Sequence, residues 1–289
     1  MKVKIILLFI LFSALQSTYA QTITFDYAPG DAKRMYEALT KNILDTCQVA
    51  VQYQVASVED VKNPVKKTHN FMLLQIGKRI SKFSDYFMLK SDSLGEVYAR
   101  QKMDEIEALN KLVIIENGTT STNIFKDYPA GKISLYEYLQ IGGYYYYTED
   151  KTKPQWILEP GDTIVCSHSC KKATTSFRGR NYTAWYTEHI PISDGPWKFW
   201  GLPGLILKVS DEKNEYSFES VAITKPSYID AIYLNNQDYF SISKKRLCEN
   251  VKKANENPGA SLESRGITID GKAPIGIKSR PYNPIELSE

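Results

Sequence analysis

Residues 195–206 read Gly-Pro-Trp-Lys-Phe-Trp-Gly-Leu-Pro-Gly-Leu-Ile, with three glycines, two prolines and three large aromatics in twelve positions. Glycine opens backbone conformations closed to other residues and proline closes most of those that remain, so this density fixes one chain path. Pro203 has no N–H to give a ladder, which places the segment at a sheet edge or at a turn that leads into a strand. Leu205–Ser210 is the strand it leads into.

The N-terminus has a different character. Lys2 and Lys4 precede the apolar run 5–12, and Thr18-Tyr19-Ala20 offers the small residues of a cleavage site. Residues 1–20 are therefore expected to be a signal peptide, with the mature chain exported to the periplasm, the outer membrane or the cell exterior. The apolar run is short of the roughly twenty residues that a spanning helix needs, and no later segment is expected to span. Removing the leader takes away two lysines and no acid, so the formal charge falls from +3 to +1. A nearly neutral chain argues against nucleic acid as the partner, because phosphate binding needs a concentrated basic face. Cys47, Cys166, Cys170 and Cys248 pass into an oxidising compartment, which admits one or two disulfides.

Twenty Tyr, eleven Phe and four Trp favour β-structure, where such side chains suit a half-buried pleated face. Asp31 is positioned to cap a helix on which Met35, Leu39 and Ile43 recur every four residues. Strands follow at 47–55, 71–76 and 80–89, the last two flanking Gly77-Lys78. A helical stripe of Met103, Ile106, Leu109 and Val113 predicts a helix over 96–113. From Thr120 short strands repeat, at 123–128, 143–149, 156–158, 162–170, 182–187, 205–210 and 216–223. Arg178-Gly179-Arg180-Asn181 and Asp211-Glu212-Lys213-Asn214 read as tight turns. A helix is expected near 243–254 on Leu247, Val251 and Ala254. The predicted fold is mainly β, of α+β type: a curved antiparallel sheet of half-barrel form, with an N-terminal helix and a few packed helices. One domain is expected over 21–259, with an extended tail at 260–289. An opening helix before a curved sheet resembles the pattern of periplasmic lipoprotein carriers, a likeness of fold alone.

Around the glycine-rich block stand Cys170-Lys171-Lys172-Ala173-Thr174, Phe177-Arg178-Gly179-Arg180, Thr183-Ala184-Trp185-Tyr186-Thr187 and Ile190-Pro191-Ile192. With Gly201–Ile206 and the terminal Pro281–Leu287, they resemble the GLPGLI, or Porph_ging, family of exported bacterial envelope proteins. The match is specific over 170–209 and loose in the N-terminal half, and the resemblance implies no particular activity.

The block itself has two readings. Arg178, Arg180 and Lys198 beside Trp185, Trp197, Phe199 and Trp200 could wall a cleft for an amphipathic or anionic small molecule. The plainer reading, which is preferred, is that the aromatics and turns build the core. The run Cys166-Ser167-His168-Ser169-Cys170 is the sharper feature. On a regular strand Cys166, His168 and Cys170 share a face and suit Zn²⁺ or Cu(I), while Cys166 and Cys170 lie about 13 Å apart. In a turn the two cysteines approach, and a disulfide between them becomes the alternative. The resemblance implies cysteine only at position 170, so Cys166 and His168 depart from the family pattern. With His69, His168 and His189 the only histidines, and no phosphate loop or hydrolase motif present, no catalytic residue and no cofactor is assigned. The expected role is non-catalytic binding of an apolar or amphipathic ligand or of another envelope protein. The alternatives are a metal or thiol-redox protein and a structural partner of an outer-membrane assembly.

Overall fold

The structure, a computed structural model, describes residues 26–27, 32–115, 120–139, 143–226, 230–263 and 277–288. The expected signal peptide lies outside them. The elements, in chain order, are β1 (Lys41–Thr46), β2 (Val49–Ser57), β3 (Thr68–Ile76), β4 (Ser81–Asp85), α1 (Tyr86–Arg100), α2 (Glu105–Ile115), β5 (Asn123–Lys126), β6 (Lys132–Tyr138) and β7 (Tyr144–Asp150). Then come β8 (Ile157–Val165), β9 (His168–Phe177), β10 (Arg180–Thr187), β11 (Leu205–Asp211), β12 (Tyr216–Thr224), β13 (Ala231–Asn235), β14 (Tyr239–Ser241), α3 (Lys244–Glu256) and α4 (Pro258–Glu263).

Twelve strands form one sheet in the order β14-β7-β6-β5-β4-β3-β2-β12-β11-β10-β9-β8. Every pairing is antiparallel except β14 with β7. The ends, β14 and β8, do not meet, so the sheet is open. It is nevertheless strongly bent. β7 and β10 stand eight strand spacings apart in the order, roughly 38 Å in a flat sheet at about 4.8 Å each. Yet Arg178, in the turn before β10, reaches Glu149 of β7 at 3.0 Å.

The alternation expected in β2 holds: Val49, Val51 and Tyr53 are buried together in the main core. They meet Leu74 and Ile76 of β3, Phe83 of β4, and Tyr182, Ala184 and Tyr186 of β10. Phe199 and Leu202 of the glycine-rich segment lie in the same core, so that segment fills the bend of the sheet. Tyr53 Oη donates to the carbonyl of Ile206 at 2.6 Å. The neighbours of the β2 core residues point the other way: Ala50 joins Cys47, Ile80, Phe125, Tyr136 and Ile232 in a second cluster beside the β1–β13 ribbon.

Three expectations are corrected. Among the described residues 32–46 no helix forms; residues 41–46 are β1, paired with β13. Met35, Leu39 and Ile43 are exposed, so their helical spacing meets no core, and the ladder to β13 prevails. The strand expected over 80–89 stops at Asp85, whose carboxylate accepts from the N–H groups of Phe87 and Met88 and starts α1. The single helix expected over 96–113 is two. Lys102 adopts φ 52, and Asp104 caps α2 by accepting from the Ile106 and Glu107 N–H groups. The helix near 243–254 forms as α3, capped by Ser243. Asn257-Pro258 leads directly into the short α4.

Candidate functional site

The turn Arg178-Gly179 joins β9 to β10 with φ of 52° and 80°, the left-handed pair that closes a two-residue hairpin. It delivers Arg180 to the first position of β10, where the guanidinium is buried. Nη1 donates to Asp211 Oδ2 at 2.9 Å and Glu215 Oε2 at 2.6 Å. Nη2 donates to Asn283 Oδ1 at 2.7 Å and the Pro284 carbonyl at 2.8 Å, and Nε donates to the Ile285 carbonyl at 3.0 Å. A guanidinium has five N–H donors, and each has a partner inside the chain. Burial works against the charge, but Glu215 and Asp211 outweigh it and raise its pKa.

Lys198 stands in the glycine-rich segment and is fully buried. Its ammonium reaches Tyr147 Oη at 2.9 Å, Glu286 Oε1 at 2.5 Å and Glu149 Oε1 at 2.5 Å. Lys244 of α3 contacts Glu286 Oε2 and lies 3.4 Å from Glu149 Oε2. Arg178 completes the group, 3.0 Å from Glu149 and 3.8 Å from Glu286. Three cations thus surround two carboxylates. Burial alone would raise the Glu286 carboxyl; Lys198 and Lys244 overcome it and hold the pKa below its ordinary value.

The aromatics work inward as well. Phe199 packs on Tyr182 at 4.8 Å and on Trp197 at 5.1 Å, and Trp197 meets Phe177 at 5.9 Å. Trp197 adopts φ 51, a conformation costly for a bulky residue and held here by this packing. Trp185 and Trp200 are half-buried instead. Trp200 Nε1 donates to the Thr152 carbonyl at 3.3 Å, with Lys151 over its ring at 4.3 Å. The structure therefore gathers Arg178, Arg180, Trp197, Lys198 and Phe199 into internal packing and ion pairs, and leaves Trp185 and Trp200 nearer the surface.

The Cys166–Cys170 run is not one regular strand. Cys166 and Ser167, with φ of 47° and 63°, form the β8–β9 turn. His168 Nδ1 lies 2.7 Å from the Cys166 carbonyl, and the buried Cys170 thiol donates to the His168 carbonyl at 3.4 Å. Burial raises the Cys170 pKa. Cys166 and Cys170 are both free thiols. Among the described residues no group of three or more His, Cys, Asp or Glu side chains is disposed to hold a metal ion.

Several members of this constellation were not found by sequence reasoning. Lys126 of β5 is buried against Asp194 and donates to the carbonyls of Gly195 at 2.6 Å and Phe199 at 3.3 Å, pinning the glycine-rich turn. Burial pulls its ammonium pKa down, with Asp194 opposing. Glu149 carries no motif. Asn283 and Glu286 lie in the family-like terminus, and that pattern was their only signal.

On the surface, β8 ends the sheet. Ile157 and Leu158 are consecutive, so they point to opposite faces, yet they are 66% and 60% exposed, and Ile164 is 76% exposed. A bulge between Glu159 and Asp162, holding Pro160 and Gly161, interrupts the edge.

The family model described as "Protein of unknown function (Porph_ging)" matches residues 137–208. It is the family that the glycine-rich block resembles, and the match covers Arg178, Arg180 and Lys198 but neither Asn283 nor Glu286. No curated protein matches the chain. Two solved structures of PNGF-II, in the P21 and C2 space groups, are similar at 13% and 14% identity, each with a TM-score of 0.48. Each similarity covers 73% of this chain and 34% of the PNGF-II chain, so this chain spans about a third of their length.

Proposed function

We propose that this chain, with its Porph_ging segment at 137–208, is an exported, non-catalytic binding protein of the bacterial envelope. It engages another envelope protein that lays an extended strand along β8. The observation that carries this reading is the exposed apolar edge formed by Ile157, Leu158 and Ile164. A terminal strand has unpaired N–H and C=O groups that template a further strand, and side chains on it select the partner. Pro160 and the bulge confine pairing to short stretches on either side, which disfavours open-ended stacking of copies. The small-molecule alternative has less support, because Arg180 and Lys198 direct their donors to groups within the chain.

A photo-crosslinking residue at position 164, introduced in the producing cell, tests the proposal. A discrete protein adduct is expected from position 164 and not from the exposed position 65. The adduct is expected to disappear when Ile157→Asp is added. Absence of any discrete adduct along β8 would refute it.

A further inference from the structure

The segment 277–288 crosses the turn between β9 and β10 without joining the sheet. Among the described residues its backbone donates two main-chain hydrogen bonds, from Arg280 N–H to the Asn255 carbonyl and from Leu287 N–H to the Arg178 carbonyl. Otherwise the segment is read by polar groups. Asn283 Nδ2 donates to the Val58 carbonyl at 2.9 Å and to Glu215 Oε2 at 3.1 Å, and Tyr216 Oη donates to the Asn283 carbonyl. Arg180 takes Asn283 Oδ1 and the next two carbonyls, and Glu286 enters the group of Lys198, Lys244 and Arg178. Gly179 makes the passage possible: a Cβ there would lie 2.8 Å from Leu287 Cβ.

The apolar share is small. Ile285 packs against the main core, while Tyr282 and Leu287 are exposed. A segment held by directed polar contacts and little apolar area behaves as a bound peptide more than as a core element, since burial of apolar surface is the main force that locks an element in place. Charge points the same way. Without Glu286, the cations Arg178, Lys198 and Lys244 would face Glu149 alone, and Lys198 is fully buried. Such a socket attracts a carboxylate strongly.

We infer that this groove is a peptide-recognition site whose resident occupant is the chain's own residues 281–287. It takes in trans an extended segment of a partner protein that carries an amide side chain and, three residues on, a carboxylate. The inference rests on different residues from the β8 edge and stands or falls apart from it. The resident segment competes at the high effective concentration that tethering gives, on the order of millimolar.

The test uses the full mature chain and a fluorescein-labelled peptide of residues 279–288, followed by fluorescence anisotropy. In an Asn283→Ala/Glu286→Ala variant, which weakens the resident segment and keeps the groove, saturable binding is expected. Binding to the wild-type chain, whose resident segment competes, should be at least about tenfold weaker; a peptide with Gln at the Glu286 position should also bind at least about tenfold more weakly to the variant, because the contacts to Lys198 and Lys244 lose their charge. No saturable binding by a variant that melts cooperatively, or equal binding of the Glu and Gln peptides, would overturn the inference. If the variant does not fold, hydrogen exchange at the Leu287 amide of the wild-type chain decides. Excess peptide should accelerate it, and an unchanged rate would overturn the inference. Dimerisation of the wild-type chain that the Asn283→Ala/Glu286→Ala substitutions abolish would assign the groove to a second copy's terminus and overturn the partner-protein reading.

Discussion

Arg180 places all five guanidinium donors on groups within the chain, and the Lys198 ammonium hydrogen-bonds Tyr147 and Glu286 and pairs with Glu149. Satisfied buried charges hold a structure in register, but removing one partner leaves the other charge stranded. Glu137 of β6 is a contrasting residue. Burial pushes its carboxyl up to about 7, and the Thr122 hydroxyl, which donates to it at 3.2 Å, offsets only part of that. Between pH 4.5 and 7 the folded chain keeps a proton that the unfolded chain has released. The associated stability is therefore full below pH 4.5 and is lost as pH rises through 7. Allowing for the side chain's partial exposure, the loss is about 2–3 kcal/mol. Urea midpoints of wild type and Glu137→Gln, compared from about pH 4 to about pH 8, should diverge, with the variant the more stable at the alkaline end. Parallel curves would refute the assignment.

Among the elements, the glycine-rich segment owes its sequence to close backbone approach. A Cβ on Gly204 would lie 2.1 Å from the Thr187 carbonyl oxygen and 2.7 Å from its carbon, both rigid parts of β10. Gly204→Ala is expected to cost at least about 2 kcal/mol, measured by chemical denaturation. A loss below about 0.5 kcal/mol, the range of neutral surface changes, would contradict this. Elements with a core-facing period were legible: Val49, Val51 and Tyr53 alternate along β2, and Leu247 and Ala254 are buried along α3. Periodicity failed where its stripe met no core, as with Met35, Leu39 and Ile43. It also failed where a local cap overrode it, at Asp85 and Asp104. Those caps are visible in the sequence, but neither apolar period points to them. The left-handed turn at Cys166-Ser167 likewise carries no glycine to announce it.

Across the whole molecule, the residues that make sense of one another are far apart in sequence. Glu149, Lys198, Lys244 and Glu286 belong to β7, the glycine-rich segment, α3 and the C-terminal segment, and only the bend of the sheet brings them together. The sequence identified Arg178, Arg180 and Lys198 as polar members of an aromatic block, but it could not tell whether they faced a ligand or the chain. That depends on carboxylates with no local signature. A ligand-binding block should tolerate loss of a cation with little change in stability, whereas an inward-facing block should not. Chemical denaturation of Arg180→Ala beside wild type separates the two most directly. With Asp211, Glu215 and the Asn283–Ile285 acceptors left without their donor, a loss of about 3–5 kcal/mol is expected. Stability within about 0.5 kcal/mol of wild type would contradict the inward-facing block and return Arg180 to the candidates for binding a ligand.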